Sequence, residues 1–109
     1  MKDNKLYIEY ILDSVRKIES YTLGFDNDSF LKDSKTQSSV IMQLILIGEV
    51  SNKLSEDTKS KIDLPWHKII GLRHMAVHEY MNLDLYIIWD TVQNKIPEMK
   101  EKLLEYKQN

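Results

Sequence analysis

Cysteine is absent from this 109-residue chain. That excludes a disulfide framework and a thiolate-bound metal, and it fits a reducing compartment. Glycine occurs three times and proline twice, too few for a fold built on tight turns, so long helices are expected. No apolar run approaches the ~20 residues that span a bilayer. The polar opening, Met1-Lys-Asp-Asn-Lys, offers no apolar signal-peptide core, and a cytoplasmic protein with no membrane partner is expected. Arginine is scarce: Arg16 and Arg73 stand against thirteen lysines, the usual pattern of a solvated lysine surface. Net charge is −2, so the whole-molecule field does not favour holding long nucleic acid by counterion release alone. A small cleft served by a single arginine is not excluded. Strand-like alternation, internal repeats and low-complexity tracts are also missing.

What is present is an ordinary globular composition, 42% hydrophobic and 29% charged, which supports one domain over residues 1–109 with a core of its own. From Asn4 to about Tyr21, Tyr7, Tyr10, Ile11, Val15, Ile18 and Tyr21 recur at helical spacing, with Ser14 as a small residue among them. Gly24 ends that helix, and Phe25-Asp-Asn-Asp-Ser reads as a turn with capping residues. Ser29 to Asp33 predicts one or two helical turns, after which Ser34 can cap the next element. The segment from about Lys35 to Leu54 predicts the most apolar helix, with Val40, Ile41, Met42, Leu44, Ile45, Leu46 and Ile47 around a single polar Gln43. Apolar on every side means burial in a bundle or against a second copy of the chain. Gly48 costs that helix about 1 kcal/mol relative to alanine, which a close helix–helix approach would explain. Glu49 beside it faces either a polar groove, a capping partner or solvent. A polar segment at residues 55–61 can form a single helical turn. Asn82 and Asp84 supply turn and cap chemistry before a last helix from about Leu85 to Tyr106, in which Pro97 should either kink the rod or break its hydrogen-bond ladder locally. The expected architecture is an all-α, up-and-down bundle of four main helices with one or two short helical turns.

The stretch from Leu64 to Tyr80 holds the strongest functional signal. Asp63 is a possible N-cap, and Pro65 suits a first turn. Trp66, Ile69, Ile70 and Val77 form an apolar stripe, and Trp66, Ile69, Ile70 and Trp89 read as core. The same helix carries Arg73, His74, His78, Glu79 and Tyr80, together with His67, the third and last histidine of the chain. On a regular helix Arg73 and Tyr80 fall about 20° apart, whereas Arg73 and His78 fall roughly 140° apart. One straight helix cannot aim Arg73 and His78 at one atom without long reach. Either it loosens near its end, or a second copy completes the site.

These residue types suit cleavage of RNA through its own 2′-hydroxyl. That reaction needs a base, an acid for the departing 5′-oxygen, and positive charge against the phosphate. Histidine serves as base or acid near neutral pH, arginine offers a fork of donors matched to phosphate oxygens, and tyrosine donates to phosphate or stacks on a base. No metal or cofactor is required. Blander readings compete: a histidine at a helix end is often a cap, and a tyrosine there often only fills an interface. His74 and His78 also have the spacing of a two-histidine metal face, but no Glu-x-x-His pair accompanies them.

Arg73-His74-Met-Ala-Val-His78-Glu-Tyr80 resembles the Arg-x4-His-x-Tyr motif of the HepT-like branch of the HEPN domains. The second position of that motif is most often asparagine, and here it is His74. Ile47-Gly48-Glu49 resembles the Ile-Gly-Glu of the family's buried helix. Pro65-Trp66 with Ile70-Gly71-Leu72-Arg73 resembles its approach to the motif, and Asp84 with Trp89 the start of its last helix. The resemblance implies a homodimeric, metal-independent ribonuclease toxin, with Arg73 and His78 catalytic in a cleft between protomers and His74 and Tyr80 supporting them. It further implies a minimal nucleotidyltransferase antitoxin that attaches AMP to Tyr80. A non-catalytic dimeric module that binds such a nucleotidyltransferase or a nucleotide is the alternative, and a purely structural helical adaptor is a third.

Overall fold

Helix follows helix through residues 2–109, the part of the chain that the structure, a computed structural model, describes. Helix α1 (Lys2–Thr22) buries a stripe of Ile8, Ile11, Leu12, Val15 and Ile18. The tyrosines expected in that stripe lie at its margin instead: Tyr7 is half-buried, and Tyr10 and Tyr21 are exposed. Aliphatic residues take the centre because a buried phenol must also find a partner for its hydroxyl. Gly24, at φ +83°, turns the chain in the left-handed region that closes helices.

Helix α2 (Asn27–Lys32) is short and strongly capped. The Ser29 N–H donates to the Asp26 carboxylate at 2.8 Å, and the Asp26 N–H donates back to the Ser29 hydroxyl at 2.9 Å. Those contacts hold the Asp26 carboxyl below the usual aspartate range. Its Phe30 is fully buried and packs on Trp89 with ring centroids 4.9 Å apart.

Helix α3 (Ser34–Lys53) begins one residue earlier than Ser34 capping allows. Asp33 is the cap, accepting from the Thr36 N–H at 3.3 Å and the Thr36 hydroxyl at 3.1 Å; the carboxylate outcompetes the neighbouring serine because it satisfies both donors. Helix α4 (Glu56–Ser60) follows, capped by Ser55. The Ser55 N–H also donates to Asn4 at 2.9 Å, tying this corner back to α1.

After α5 (Trp66–His78) and a 3-10 turn (Tyr80–Asn82), Asp84 caps α6 (Leu85–Asp90). A π-helical segment (Thr91–Lys95) then leads into α7 (Ile96–Gln108). Backbone angles stay helical across both junctions, so Pro97 does not break the rod. Proline cannot donate to the carbonyl one turn back and its ring crowds that turn. Here the ladder widens to π spacing just upstream instead.

Helix α3 is central, with α1 on one flank and α5 on the other. Four main helical stretches and two short helices make an all-α fold, with no strand among the described residues. Its principal extents are 42 × 29 × 19 Å, and the thin dimension admits about two layers of helices ~10 Å across. A two-layer slab cannot cover α3 all round. Val40, Ile41, Leu44 and Ile47 are buried, while Met42 and Leu46 are 53% and 41% exposed. Gln43, the one polar residue of the run, lies on the buried side.

Candidate active site

Helix α5 starts without a side-chain cap. Pro65 occupies the cap position, and Asp63, expected to fill it, instead accepts from Lys102 on α7, through its carbonyl at 2.8 Å and its carboxylate at 3.3 Å. The entry is fixed by Trp66, whose indole N–H is shared between the carbonyls of Lys59 and Ile62, each at 3.1 Å. Trp66 and Ile69 are half-buried and pack against the core, Ile70 is half-buried without joining it, and Val77 is 45% exposed; Trp89 alone of the expected core set is buried. The physical reason is that α5 packs closely on α3 only, so much of its circumference faces outward.

The flank that meets α3 is narrow. Ala76 is fully buried, and Gly48 of α3 lies directly beneath Arg73. A Cβ at position 48 would fall 2.2 Å from the Arg73 Cβ and 3.3 Å from the Ile69 carbonyl. Glycine is thus required by a close helix approach, as its place in an apolar helix led one to expect. Next to it, Glu49 forms an ion pair with the Nη2 of Arg73, which settles Glu49 as the partner of a groove residue. The Nε of Arg73 is buried and has no hydrogen-bond partner among the described residues.

The helix is regular through His78 and ends there. Glu79 leaves helical geometry at φ −119°, ψ 25°, while its N–H still donates to the Met75 carbonyl at 2.8 Å. Two consequences follow. First, the offset of about 140° between Arg73 and His78 stands. Second, Tyr80 is not on the Arg73 face of a continuing helix, as the spacing predicted. It sits in the 3-10 turn, where its hydroxyl donates to the Ser38 hydroxyl on α3 at 3.1 Å. The imidazoles of His74 and His78 are neighbours, with ring centroids 4.3 Å apart and planes tilted by 50°. Both are exposed.

His67 stands apart from this group, in the first turn of α5. It lines a cavity of about 540 Å³ between α3, α5 and the last helical rod, along with Leu44, Leu72, Met75 and Ile87. None of Arg73, His74, His78 and Tyr80 lines that cavity. Among the described residues no cluster of three or more metal-ligating side chains occurs, and no helix is long and apolar enough to cross a membrane. Sequence reasoning did not find Ser38, because nothing local marks one serine of α3 as the neighbour of a tyrosine on another element.

The second half of α5 and the turn after it thus carry Arg73 packed against α3, two neighbouring exposed imidazoles, and a phenol tethered to Ser38. No solved structure matches the chain. It is 34% identical over 102 residues to a protein of Thermococcus cleftensis named "Probable ribonuclease HepT", covering 93% of each chain. It is 39% identical over 102 residues to a Methanocaldococcus jannaschii protein provisionally named an RNase, covering 92% of this chain and 84% of that one. A second protein of that organism, named gamma-glutamylcyclotransferase and, provisionally, RNase, is 32% identical over 105 residues. The match covers 95% of this chain but 47% of that protein. The family model described as "Ribonuclease HepT-like" matches residues 11–106, and the chain belongs to that family.

Proposed function

We propose that this chain is the ribonuclease toxin of a toxin–antitoxin pair: a metal-independent endoribonuclease, active as a homodimer, silenced when a minimal nucleotidyltransferase attaches AMP to Tyr80. The observation that carries the reading is the adjacent pair of exposed imidazoles, His74 and His78, closing a helix that also carries Arg73, in a member of a ribonuclease family.

In the proposed reaction a base removes the proton of the RNA 2′-hydroxyl, and the 2′-oxygen attacks the adjacent phosphorus. The bond from phosphorus to the 5′-oxygen breaks, and an acid returns a proton to that oxygen. The products are a 2′,3′-cyclic phosphate and a 5′-hydroxyl. His78 handles one of the two protons. The second needs a second group, and the ring of His74, centred 4.3 Å away, supports giving it that part. Arg73 opposes the charge that builds on the phosphate oxygens. Because Arg73 and His78 point about 140° apart on one helix, the homodimer supplies them from different copies to one cleft.

The test is cleavage of single-stranded RNA by the purified protein in the presence of a chelator. Wild type is expected to cleave, leaving cyclic phosphate ends, and His78→Ala is expected not to. An inactive wild type, or cleavage that survives in a folded His78→Ala protein, defeats the reading. Inactivity with retained binding of a nucleotidyltransferase would instead support a non-catalytic module.

A further inference from the structure

Arg73 is held more firmly than a surface arginine, and what holds it has a charge of its own. The start of its side chain is pinned on α3, since its Cβ and Cγ occupy the space over Gly48 that any other residue would fill. Beyond that point the Nε is buried without a partner among the described residues. The guanidinium therefore cannot swing far to meet a ligand, and the ligand must come to it. Its Nη2 is engaged by the Glu49 carboxylate.

A phosphodiester presents two non-bridging oxygens and binds arginine best through two parallel N–H donors. With Nε buried, the pair left for such binding is Nη1 and Nη2, and Glu49 already takes from Nη2. A carboxylate and a phosphate at that position would be like charges a few ångströms apart, which repel. Both side chains of the pair are reachable, Arg73 being 32% and Glu49 45% exposed. The carboxylate can thus move out to water at small cost, as exposed ion pairs do.

We propose that Glu49 is an intramolecular stand-in for the RNA phosphate: it neutralises Arg73 in the free chain, and a phosphodiester binds by displacing it. The proposal rests on the reading of Arg73 as a phosphate-binding group. Its consequence is that an isolated phosphate gains little on Arg73. Only an RNA strand that makes further contacts, to a second copy or to the histidines, displaces the carboxylate. Glu49 in this view sets the threshold for substrate binding and positions Arg73 until substrate arrives.

The test uses a 2′-O-methyl RNA oligonucleotide, which carries the phosphodiesters but cannot be cleaved, with binding followed by fluorescence anisotropy at fixed salt. Glu49→Gln is expected to bind about two- to five-fold more tightly than wild type, the scale of an exposed ion pair. Arg73→Ala is expected to bind more weakly, and the double variant no better than Arg73→Ala. Equal or weaker binding by Glu49→Gln overturns the proposal while leaving Arg73 as a phosphate group. The same tightening in the Arg73→Ala background overturns it too, by showing only a general charge effect. Wild-type binding by Arg73→Ala removes the underlying reading and the proposal with it. Thermal melting establishes that each variant is folded, and Glu49→Ala replaces Glu49→Gln if the latter is not.

Discussion

At the scale of single residues, Arg73 and Tyr80 are each held by a residue of α3: Glu49 engages Nη2 of Arg73, and the Ser38 hydroxyl accepts from Tyr80. Arg73 stood out because arginine is rare here, and His74, His78 and Tyr80 because they crowd one helix. The contacts that decide what these groups do, Glu49 with Arg73 and Ser38 with Tyr80, reach between elements and depend on the register of α3 against α5. Periodicity cannot supply that register. His78 is exposed at the last position of α5, so His78→Ala removes no core contact. It should lower kcat by at least about a hundredfold, the usual worth of a positioned acid or base, with unchanged circular dichroism and melting temperature. Tyr80 is the complementary case. Its hydroxyl bond to Ser38 is exposed, so Tyr80→Phe should cost under about 1 kcal/mol of stability. On the proposed reading, AMP on that oxygen would remove the donor, add an anion there and block substrate by volume. Intact-mass analysis after incubation with the partner nucleotidyltransferase and ATP should show added AMP on wild type and none on Tyr80→Phe. Added mass on the variant would shift the acceptor elsewhere.

At the scale of elements, the sequence foretold the helices better than their ends. Gly24 and Asp84 act where turn chemistry put them. Asp33 displaced Ser34 as a cap because its carboxylate takes two donors, while α5 starts at Pro65 with no side-chain cap and Asp63 pairs with Lys102 instead. Two elements allow quantitative tests. Gly48→Ala should gain about 1 kcal/mol of intrinsic helix propensity. Against that, its Cβ would stand 2.2 Å from a Cβ fixed on another helix, and overpacking of a core contact costs about 1–3 kcal/mol. The steric effect wins because neither backbone can yield alone, so the melting temperature should fall and α5 should shift from α3. Helix α2 offers a pH test. Its Asp26 carboxyl is lowered by the backbone and side-chain hydrogen bonds of Ser29. A group with a lowered folded pKa stabilises above its unfolded value, near 4, and loses that contribution as pH falls through the folded value. Amide exchange in residues 27–32 should therefore quicken, relative to the rest of the chain, below about pH 4. Asp26→Ala should abolish that dependence.

At the scale of the whole molecule, the proposed homodimer would cover an apolar face that a slab 19 Å thick leaves open. Met42 and Leu46 on α3, Met75 and Val77 on α5, and Tyr80 just beyond are all exposed. Single exposed apolar residues are ordinary, but several on two adjacent helices mark an interaction surface. The sequence hinted at this through the all-round apolarity of α3. It could not say which side would stay open, because that depends on where α1 and α5 settle. A second copy closing over this face would also bring Arg73 of one chain toward His78 of the other, which a single α5 cannot do. Sedimentation at about 10 μM, far above the dissociation constant of a typical obligate interface, should give twice the 12.9 kDa chain mass. Met42→Glu with Val77→Glu should yield a helical monomer without cleavage. The sharper test mixes two inactive proteins, Arg73→Ala and His78→Ala. In a mixed dimer one site inherits both changes and the other inherits neither. Random exchange should then restore about a quarter of wild-type activity, half the dimers being mixed and each carrying one intact site of two. A site built within one chain predicts no restoration at any ratio, and that result would end the composite-site reading.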